Sequence, residues 1–207
     1  MQNADQLDIK PLSGTFGAEV RGAELSRLDT DGFKTVYQLM VEHQVVVFRD
    51  QHFDPEDYLE FAQKWGELHR HPFMQGLEDY PEILEIVKTE SDTMAFGNTW
   101  HTDQSFTEKP SKFTMLYAKE VPQRGGDTMF TNMYAAYDSL SDGMKSMLGN
   151  LRGWNVGSRQ KLRSASTPPS NAKPLSNMQE QAPPEGLQTE ASHPLVRTHK
   201  DSGRKAL

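Results

Sequence analysis

The sequence predicts a mainly β fold with flanking helices, arranged as a sandwich or a jelly-roll barrel. Short stretches that alternate apolar and polar residues, or that are rich in β-branched residues, recur along the chain between glycines and prolines. Stretches with helical spacing flank them, so we expect the helices to pack outside the sheets. There is no internal repeat, and a single domain over residues 1–207 suits the length.

The N-terminal part of the chain predicts two strands, a helix and a third strand. Residues 7–22 alternate in polarity and are broken by glycines, which predicts short strands joined by turns. From Thr30 the apolar period becomes helical, with Phe33, Val36, Tyr37 and Met40 on one face. The β-branched run at 44–51 then predicts a buried strand.

A second helix is predicted by the residues at its two ends. Asp54 is a suitable N-cap, Pro55 suits the first helical position, and Gly66 can end the helix. Beyond it, further strands are predicted at 82–87, 111–122 and 123–133.

The C-terminal part predicts a helical segment at 133–151 and a strand, a turn and a second strand over 193–207. Between them, residues 158–192 are rich in Pro, Ser, Asn and Gln, which predicts a mobile lid over an active site or a disordered connection. Because the last predicted strand stops after its first residues, we interpret the chain as a fragment.

Composition excludes several classes of protein. The net charge is -7, which argues against a nucleic-acid partner. There is no cysteine, so disulfides and thiolate metal sites are excluded. The sequence has neither a basic, apolar leader nor a run long enough to span a membrane. We expect a cytoplasmic protein without a membrane partner.

Three His-x-Asp pairs are candidate metal sites, namely His52/Asp54, His101/Asp103 and His199/Asp201. On an extended backbone such residues face the same side and can reach one ion. Asp54 is better explained as a helix cap, and Asp201 lies in a Ser-Gly turn. His101 and Asp103 lie between Trp100 and Phe106, where a neutral imidazole and a carboxylate would suit a divalent metal. A chance pair remains the alternative.

The motifs "WHTD" at 100–103 and "GGDT" at 125–128 occur in order with "HQVVVFRDQ", "WGELHRHP" and "HPLVRTH". Together they resemble the taurine dioxygenase (TauD/TfdA) family of Fe(II)- and 2-oxoglutarate-dependent dioxygenases, over nearly the whole chain. The resemblance implies a double-stranded β-helix, also called a jelly-roll or cupin-like fold, that is incomplete at the C-terminus. It further implies that His101 and Asp103 are iron ligands, that Thr128 binds a carboxylate of 2-oxoglutarate, and that His71 binds substrate.

The same resemblance implies the reaction. Iron held by two histidines and a carboxylate keeps open positions for the oxo acid and O2. The family hydroxylates a C–H bond and releases succinate and CO2. The carboxylate of Asp103 favours hydroxylation over halogenation, since related halogenases lack it. An ordinary strand threonine at 128 and a structural or surface histidine at 71 are the alternatives for those two positions.

The chain departs from the family pattern in two respects. No residue matches the second iron histidine or the arginine that binds 2-oxoglutarate, and His193 and His199 match positions that are not ligands. We therefore expect the 207-residue chain alone to bind iron weakly and to be inactive. Met74 and Gly97 replace a tyrosine and a substrate-contacting asparagine of taurine dioxygenase, which disfavours taurine.

The predicted substrate is therefore a small anionic organic molecule, among which a sulfonate, a sulfate ester and an aryloxy acid stay open. Two other functions also stay open. One is a non-catalytic jelly-roll binding protein with a degenerate metal site. The other is a structural or oligomerisation module, and whether the chain forms a homo-oligomer is not decided by the sequence.

Overall fold

The computed structural model describes residues 7–92, 97, 99–157 and 178–207. The chain divides into two compact units. The first unit comprises Met1–Gly66, Leu116–Leu151 and Pro194–Leu207, and the second comprises Glu67–Met115 and Arg152–His193. A single domain over 1–207 stays a prediction.

The described residues contain short strands and four α-helices. The strands are β1 (Asp8–Pro11), β2 (Ala18–Arg21), β3 (Val46–Phe48), β4 (Arg152–Val156), β5 (Glu190–Pro194), β6 (Arg197–Thr198) and β7 (Lys205–Ala206). The α-helices are α1 (Thr30–His43), α2 (Pro55–Gln63), α3 (Met133–Asp138) and α4 (Asp142–Leu148), and Leu25–Arg27 forms a 3-10 turn. Within this part of the chain no helix is long and apolar enough to cross a membrane.

The first unit is built on a sheet with the strand order β1-β2-β3. β1 pairs antiparallel with β2, and β2 pairs parallel with β3, in the register Ala18↔Val46. A parallel pair needs a crossover connection, and α1 supplies it. The strands predicted at 7–22 and 44–51 and the helix predicted from Thr30 are thus confirmed.

Side chains at the helix ends explain where α1 and α2 begin. The Asp29 carboxylate accepts a hydrogen bond from Gly32 N–H, and the Asp54 carboxylate accepts one from Asp57 N–H at 2.8 Å. These bonds satisfy amides that have no partner inside a helix. Gln44 ends α1 with a φ of 68°. The predicted cap at Asp54 is therefore confirmed.

The core of the first unit lies between the β1-β2-β3 sheet and the helices. Val20 and Val36 are almost fully buried, and Leu39, Phe53 and Phe61 are also buried. An aromatic cluster continues this core, and its members are Phe33, Tyr37, Phe53, Tyr58, Phe61, Trp65 and Tyr117. Burial of these rings supplies much of the unit's hydrophobic stabilisation.

The C-terminal segment of the first unit folds as predicted in one part and differently in another. β6 and β7 form the predicted hairpin, with Arg197 opposite Ala206. The helix predicted over 133–151 is instead two helices, because the Ser141 hydroxyl accepts from Met144 N–H and starts α4. Tyr134 of α3 packs edge-on against His199, and its hydroxyl lies 3.1 Å from Ser202 Oγ.

The second unit contains the β4-β5 sheet and a segment with little regular structure. Arg152 hydrogen-bonds Ser192, and Trp154 Nε1–H donates to Glu190 Oε2 at 3.2 Å, so both pairs link the strands. A separate antiparallel bridge joins Met74 to Glu180. The part of the predicted loop at 158–177 lies outside the described residues, whereas Glu180 belongs to the described remainder.

The strands predicted at 82–87, 111–122 and 123–133 are not formed. Alternating polarity marks residues that suit a strand, but a strand also needs a neighbouring backbone with which to pair. The fold is therefore sheets with helices, in agreement with the class that the sequence predicts. The described residues do not close a jelly roll.

Candidate metal and substrate site

His101 and Asp103 face each other in the second unit, on a segment without helix or strand. His101 Nε2 lies 3.1 Å from Asp103 Oδ1. His101 Nδ1 lies 2.6 Å from the carbonyl oxygen of Thr99. Both side chains are about half exposed, at 51% and 44%. The pair is therefore accessible from solvent.

The hydrogen bond to Thr99 decides the chemistry of the His101 ring. A carbonyl oxygen only accepts, so Nδ1 must carry the hydrogen. In the neutral imidazole, Nε2 then has a lone pair that faces the carboxylate of Asp103. Two electron-pair donors at this separation repel unless a proton on Nε2 or a metal cation lies between them. A divalent metal fits this donor set, and the Thr99 carbonyl would fix the tautomer that binds it.

Thr114 orients the carboxylate from the other side. Its hydroxyl donates to Asp103 Oδ2 at 2.6 Å, which leaves Oδ1 directed at His101. Hydrogen bonds of this kind hold a ligand in its binding orientation and are a usual accompaniment of metal sites. Sequence reasoning missed Thr114, because a threonine within an alternating stretch carries no distinguishing signal.

The segment that carries the two candidate ligands is anchored at its far end. His193 Nε2–H donates to the carbonyl of Thr107 at 2.9 Å. The ring of Phe106 lies against Gly157, where an added Cβ would be only 2.4 Å from a ring carbon. Phe106 also packs against Phe73, with ring centroids 5.6 Å apart. This packing therefore leaves no room for a side chain at position 157.

Among the described residues no group of three His, Cys, Asp or Glu side chains is placed to hold a metal. Within that part of the chain, His101 and Asp103 are therefore only a pair of candidate ligands. The site needs a further protein ligand to reach the arrangement of two histidines and one carboxylate.

A family model described as "Taurine catabolism dioxygenase TauD, TfdA family" matches residues 8–207. The chain belongs to this family. The alpha-ketoglutarate-dependent sulfate ester dioxygenase of Pseudomonas putida is 31% identical over 207 residues, which cover 99% of this chain and 66% of the relative. The alpha-ketoglutarate-dependent sulfonate dioxygenase of Saccharomyces cerevisiae is 28% identical, over 100% of this chain and 50% of the relative.

A solved structure extends the comparison to the fold. AAD-2, crystallised in complex with Mn(II) and N-oxalylglycine, superposes with a TM-score of 0.69 at 26% identity, covering 98% of this chain and 69% of AAD-2. The chain thus spans half to about two thirds of the length of the curated relatives named above. The TauD/TfdA resemblance that the motifs indicate is confirmed.

His71, the candidate substrate residue of this TauD/TfdA member, also lies in the second unit. Its Nδ1 accepts hydrogen bonds from the backbone N–H groups of Phe73 at 3.2 Å and Met74 at 3.0 Å. Because Nδ1 is an acceptor, the neutral ring carries its hydrogen on Nε2. The carbonyl of His71 accepts from Gln181 Nε2 at 2.7 Å. These contacts hold the His71 ring in one orientation.

The other candidate positions have different surroundings. Thr128 is an exposed residue of the first unit, outside any strand, and its role stays a prediction. Met74 is only 6% exposed. Gly97 has a φ of +67°, and an added Cβ would lie 3.4 Å from Cε1 of His101. A side chain at position 97 would therefore contact the His101 ring, and it would be strained by the positive φ.

A surface cleft adjoins the His71 segment. Its volume is about 240 Å³, and Arg70, Gln75 and Gln181 are among the residues that line it. Arg70 already pairs with Glu82 at 2.8 Å. Arg70 is therefore not an unpaired cation that could bind an anionic ligand in this cleft.

Proposed function

We propose that the protein is an Fe(II)- and 2-oxoglutarate-dependent dioxygenase that hydroxylates a C–H bond of a small anionic organic substrate. The overall reaction is R–H + O2 + 2-oxoglutarate → R–OH + succinate + CO2. Because the chain spans only part of its relatives, the proposal concerns a protein of their length. The double-stranded β-helix fold is part of the same proposal.

The close approach of His101 Nε2 to Asp103 Oδ1 carries this proposal, because both atoms can donate an electron pair to one metal ion. A bound Fe(II) would accept both, and it would supply the binding and activation of O2 and the oxo acid. The chain's own part is to present His101 Nε2 through the Thr99 carbonyl and Asp103 Oδ1 through the Thr114 hydroxyl. The third ligand of the proposed triad would come from a segment that corresponds to the part of the relatives that this chain does not match.

The two other candidate residues have separate roles in the proposal. His71 would donate its Nε2–H to a negatively charged group of the substrate, since its Nδ1 is occupied by two backbone amides. Thr128 would donate its hydroxyl to a carboxylate of 2-oxoglutarate. The relatives act on a sulfate ester in one case and a sulfonate in another, which supports an anionic substrate class.

The first test is metal binding by the 207-residue chain. Mn(II) would be titrated under anaerobic conditions against wild type, Asp103→Ala and, as a matched control, Asp79→Ala, which removes an exposed carboxylate of the same unit. We expect Asp103→Ala to lose Mn(II) affinity while the control keeps it. Equal affinity in all three proteins would contradict the metal assignment.

The second test is catalytic and uses a gene that encodes a chain of the relatives' length. Succinate formation would be followed with 2-oxoglutarate and a panel of sulfate esters, sulfonates and aryloxy acids. We expect at least one substrate to raise succinate formation above the rate with the oxo acid alone. A longer protein that binds metal but never forms succinate would favour a non-catalytic binding role.

A further inference from the structure

We propose that Gln104 is a positioning residue that ties the metal-ligand segment to the segment carrying His71. The inference rests on the proposed function and adds a determinant of how substrate is placed relative to the metal. Gln104 directly follows Asp103. Its side-chain Nε2 lies 3.2 Å from Nδ1 of His69, two residues before His71.

The backbone at Gln104 is constrained in an unfavourable conformation. Its φ is 51°, in the left-handed region that residues with a Cβ rarely adopt. The carbonyl of Gln104 accepts from both the N–H of Thr107 at 3.0 Å and the hydroxyl of Thr107 at 2.9 Å. This turn fixes the direction in which the chain leaves Asp103. Strain of this kind persists where the surroundings determine the conformation.

The side chain of Gln104 is fixed by its bond to His69. If Nε2–H of Gln104 donates, His69 Nδ1 is the acceptor and the His69 ring is neutral. Burial lowers the pKa of His69, which favours the neutral ring. The amide Oε1 of Gln104 is buried and has no hydrogen-bond partner among the described residues. Burying an amide oxygen without a hydrogen-bond partner is unfavourable.

The other end of this link is also held by hydrogen bonds. Only Arg70 separates His69 from His71, whose ring is held by the N–H groups of Phe73 and Met74. A shift of His69 therefore displaces His71 rather than being absorbed in a long loop. The Gln104–His69 bond thus sets the spacing between the Asp103 carboxylate and the ring of His71.

The test uses Mn(II) as a paramagnetic probe in the 207-residue chain. Bound Mn(II) broadens the NMR signals of nearby histidine rings, and the broadening falls with the sixth power of distance. Gln104→Asn tolerates the left-handed backbone but is one methylene too short to reach His69. At saturating Mn(II) we expect the broadening of His71 to change by about twofold, because misplacement by about 1 Å is the scale that matters for positioned groups.

A second variant and a control separate positioning from general damage. His69→Ala removes the partner of the same bond, so we expect the same change in His71 broadening and no further change in the double variant. Gln179→Asn shortens an exposed glutamine of the same unit and is expected to leave the broadening unchanged. If Gln104→Asn does not fold, His69→Ala still tests the link.

The outcomes separate this inference from the proposed function. Unchanged His71 broadening in Gln104→Asn and His69→Ala, or additive effects in the double variant, would overturn the positioning role alone. Wild-type protein in which Mn(II) leaves the His101 signals sharp would overturn the metal site, and the inference with it. Coupled, non-additive changes in His71 with His101 still broadened would establish the link.

Discussion

Two hydrogen bonds orient the side chains of His101 and Asp103, which we propose as metal ligands. The Thr99 carbonyl selects the tautomer of His101, and the Thr114 hydroxyl selects which oxygen of Asp103 is left for the metal. Each bond holds its side chain in one orientation before a metal binds. No alternative orientation then has to be given up on metal binding. Orientation before binding is what such supporting groups contribute.

Thr114→Val removes the hydroxyl and keeps the shape of the side chain. We expect the affinity of the chain for Mn(II) to fall by about 10- to 100-fold, as is usual when a group that orients a ligand is lost. Thr114→Ser keeps the hydroxyl and should retain most of the affinity. Calorimetric titration of the three proteins would measure this, and equal losses in Val and Ser would show that the hydroxyl has no such role.

Sequence reasoning found the residues at this scale that have a distinctive chemistry and missed those that support them. His101 and Asp103 were singled out by spacing and by their aromatic neighbours, and the competing pair at Asp54 was correctly explained as a cap. Thr114, Gln104 and His69 carry no local pattern, because their contacts join positions distant in sequence. Only folded coordinates bring such partners together.

At the level of elements, the caps were predictable and several strands were not. Asp54 and Pro55 mark the start of α2 by themselves, since a cap is a local interaction. Ser141 starts α4 by the same mechanism, so its serine was a signal that the apolar period obscured. The stretch 111–122 alternates in polarity, but pairing depends on a distant backbone that local pattern does not specify.

Asp54→Ala removes the side chain that accepts from Asp57 N–H. We expect the free energy of unfolding to fall by about 1 kcal/mol, which is the typical loss for an N-cap. Asp54→Asn can still accept this hydrogen bond and serves as the control. Urea denaturation would compare the three proteins, and a loss in Asn as large as that in Ala would argue against a capping role.

Glu19 links the strands of the first sheet through charge. Its carboxylate pairs with Arg21 and with Arg49, each at 2.8 Å, and joins β2 to the residue after β3. The hydrogen bond from Arg21, followed by that from Arg49, lowers the pKa of Glu19. Stability from this pairing is therefore present above the ordinary pKa of glutamate and is lost as the pH falls through the lowered value.

Glu19→Gln should consequently be less stable than wild type at neutral pH, with a difference that shrinks as the solution is acidified. The measurement is the urea midpoint of both proteins between neutral pH and a pH of about 3. Glu60→Gln, at an exposed position of α2, provides the comparison for loss of a surface charge. A Glu19→Gln difference that stays constant with pH would contradict the pairing.

On the scale of the whole molecule, the first unit exposes large apolar side chains. Leu116, Val121 and Met129 are 66%, 70% and 72% exposed, and all three belong to stretches that the sequence predicts as strands. Large exposed apolar surface favours association, and extended segments without a pairing partner favour it further. The exposed side chains of Leu116, Val121 and Met129 therefore favour self-association of the chain.

We expect the chain to associate reversibly as its concentration rises. Val121→Lys combined with Met129→Lys should shift this association to higher concentration, because it replaces apolar surface with charge. Gln123→Lys introduces a charge nearby without removing apolar surface, and it should have the smaller effect. Sedimentation velocity over a concentration series would measure the shift, and a purely monomeric wild type would refute the expectation.

The parallel pairing of β2 with β3 across α1 has a consequence for the order of folding. The strand–helix–strand segment β2-α1-β3 runs only from Ala18 to Phe48, so its contacts close over a short stretch of chain. Short closures cost little chain entropy and form early. The amides of β2 and α1 should therefore be the slowest to exchange with deuterium, whether or not metal is present, whereas those around His101 should become slower only when Mn(II) binds.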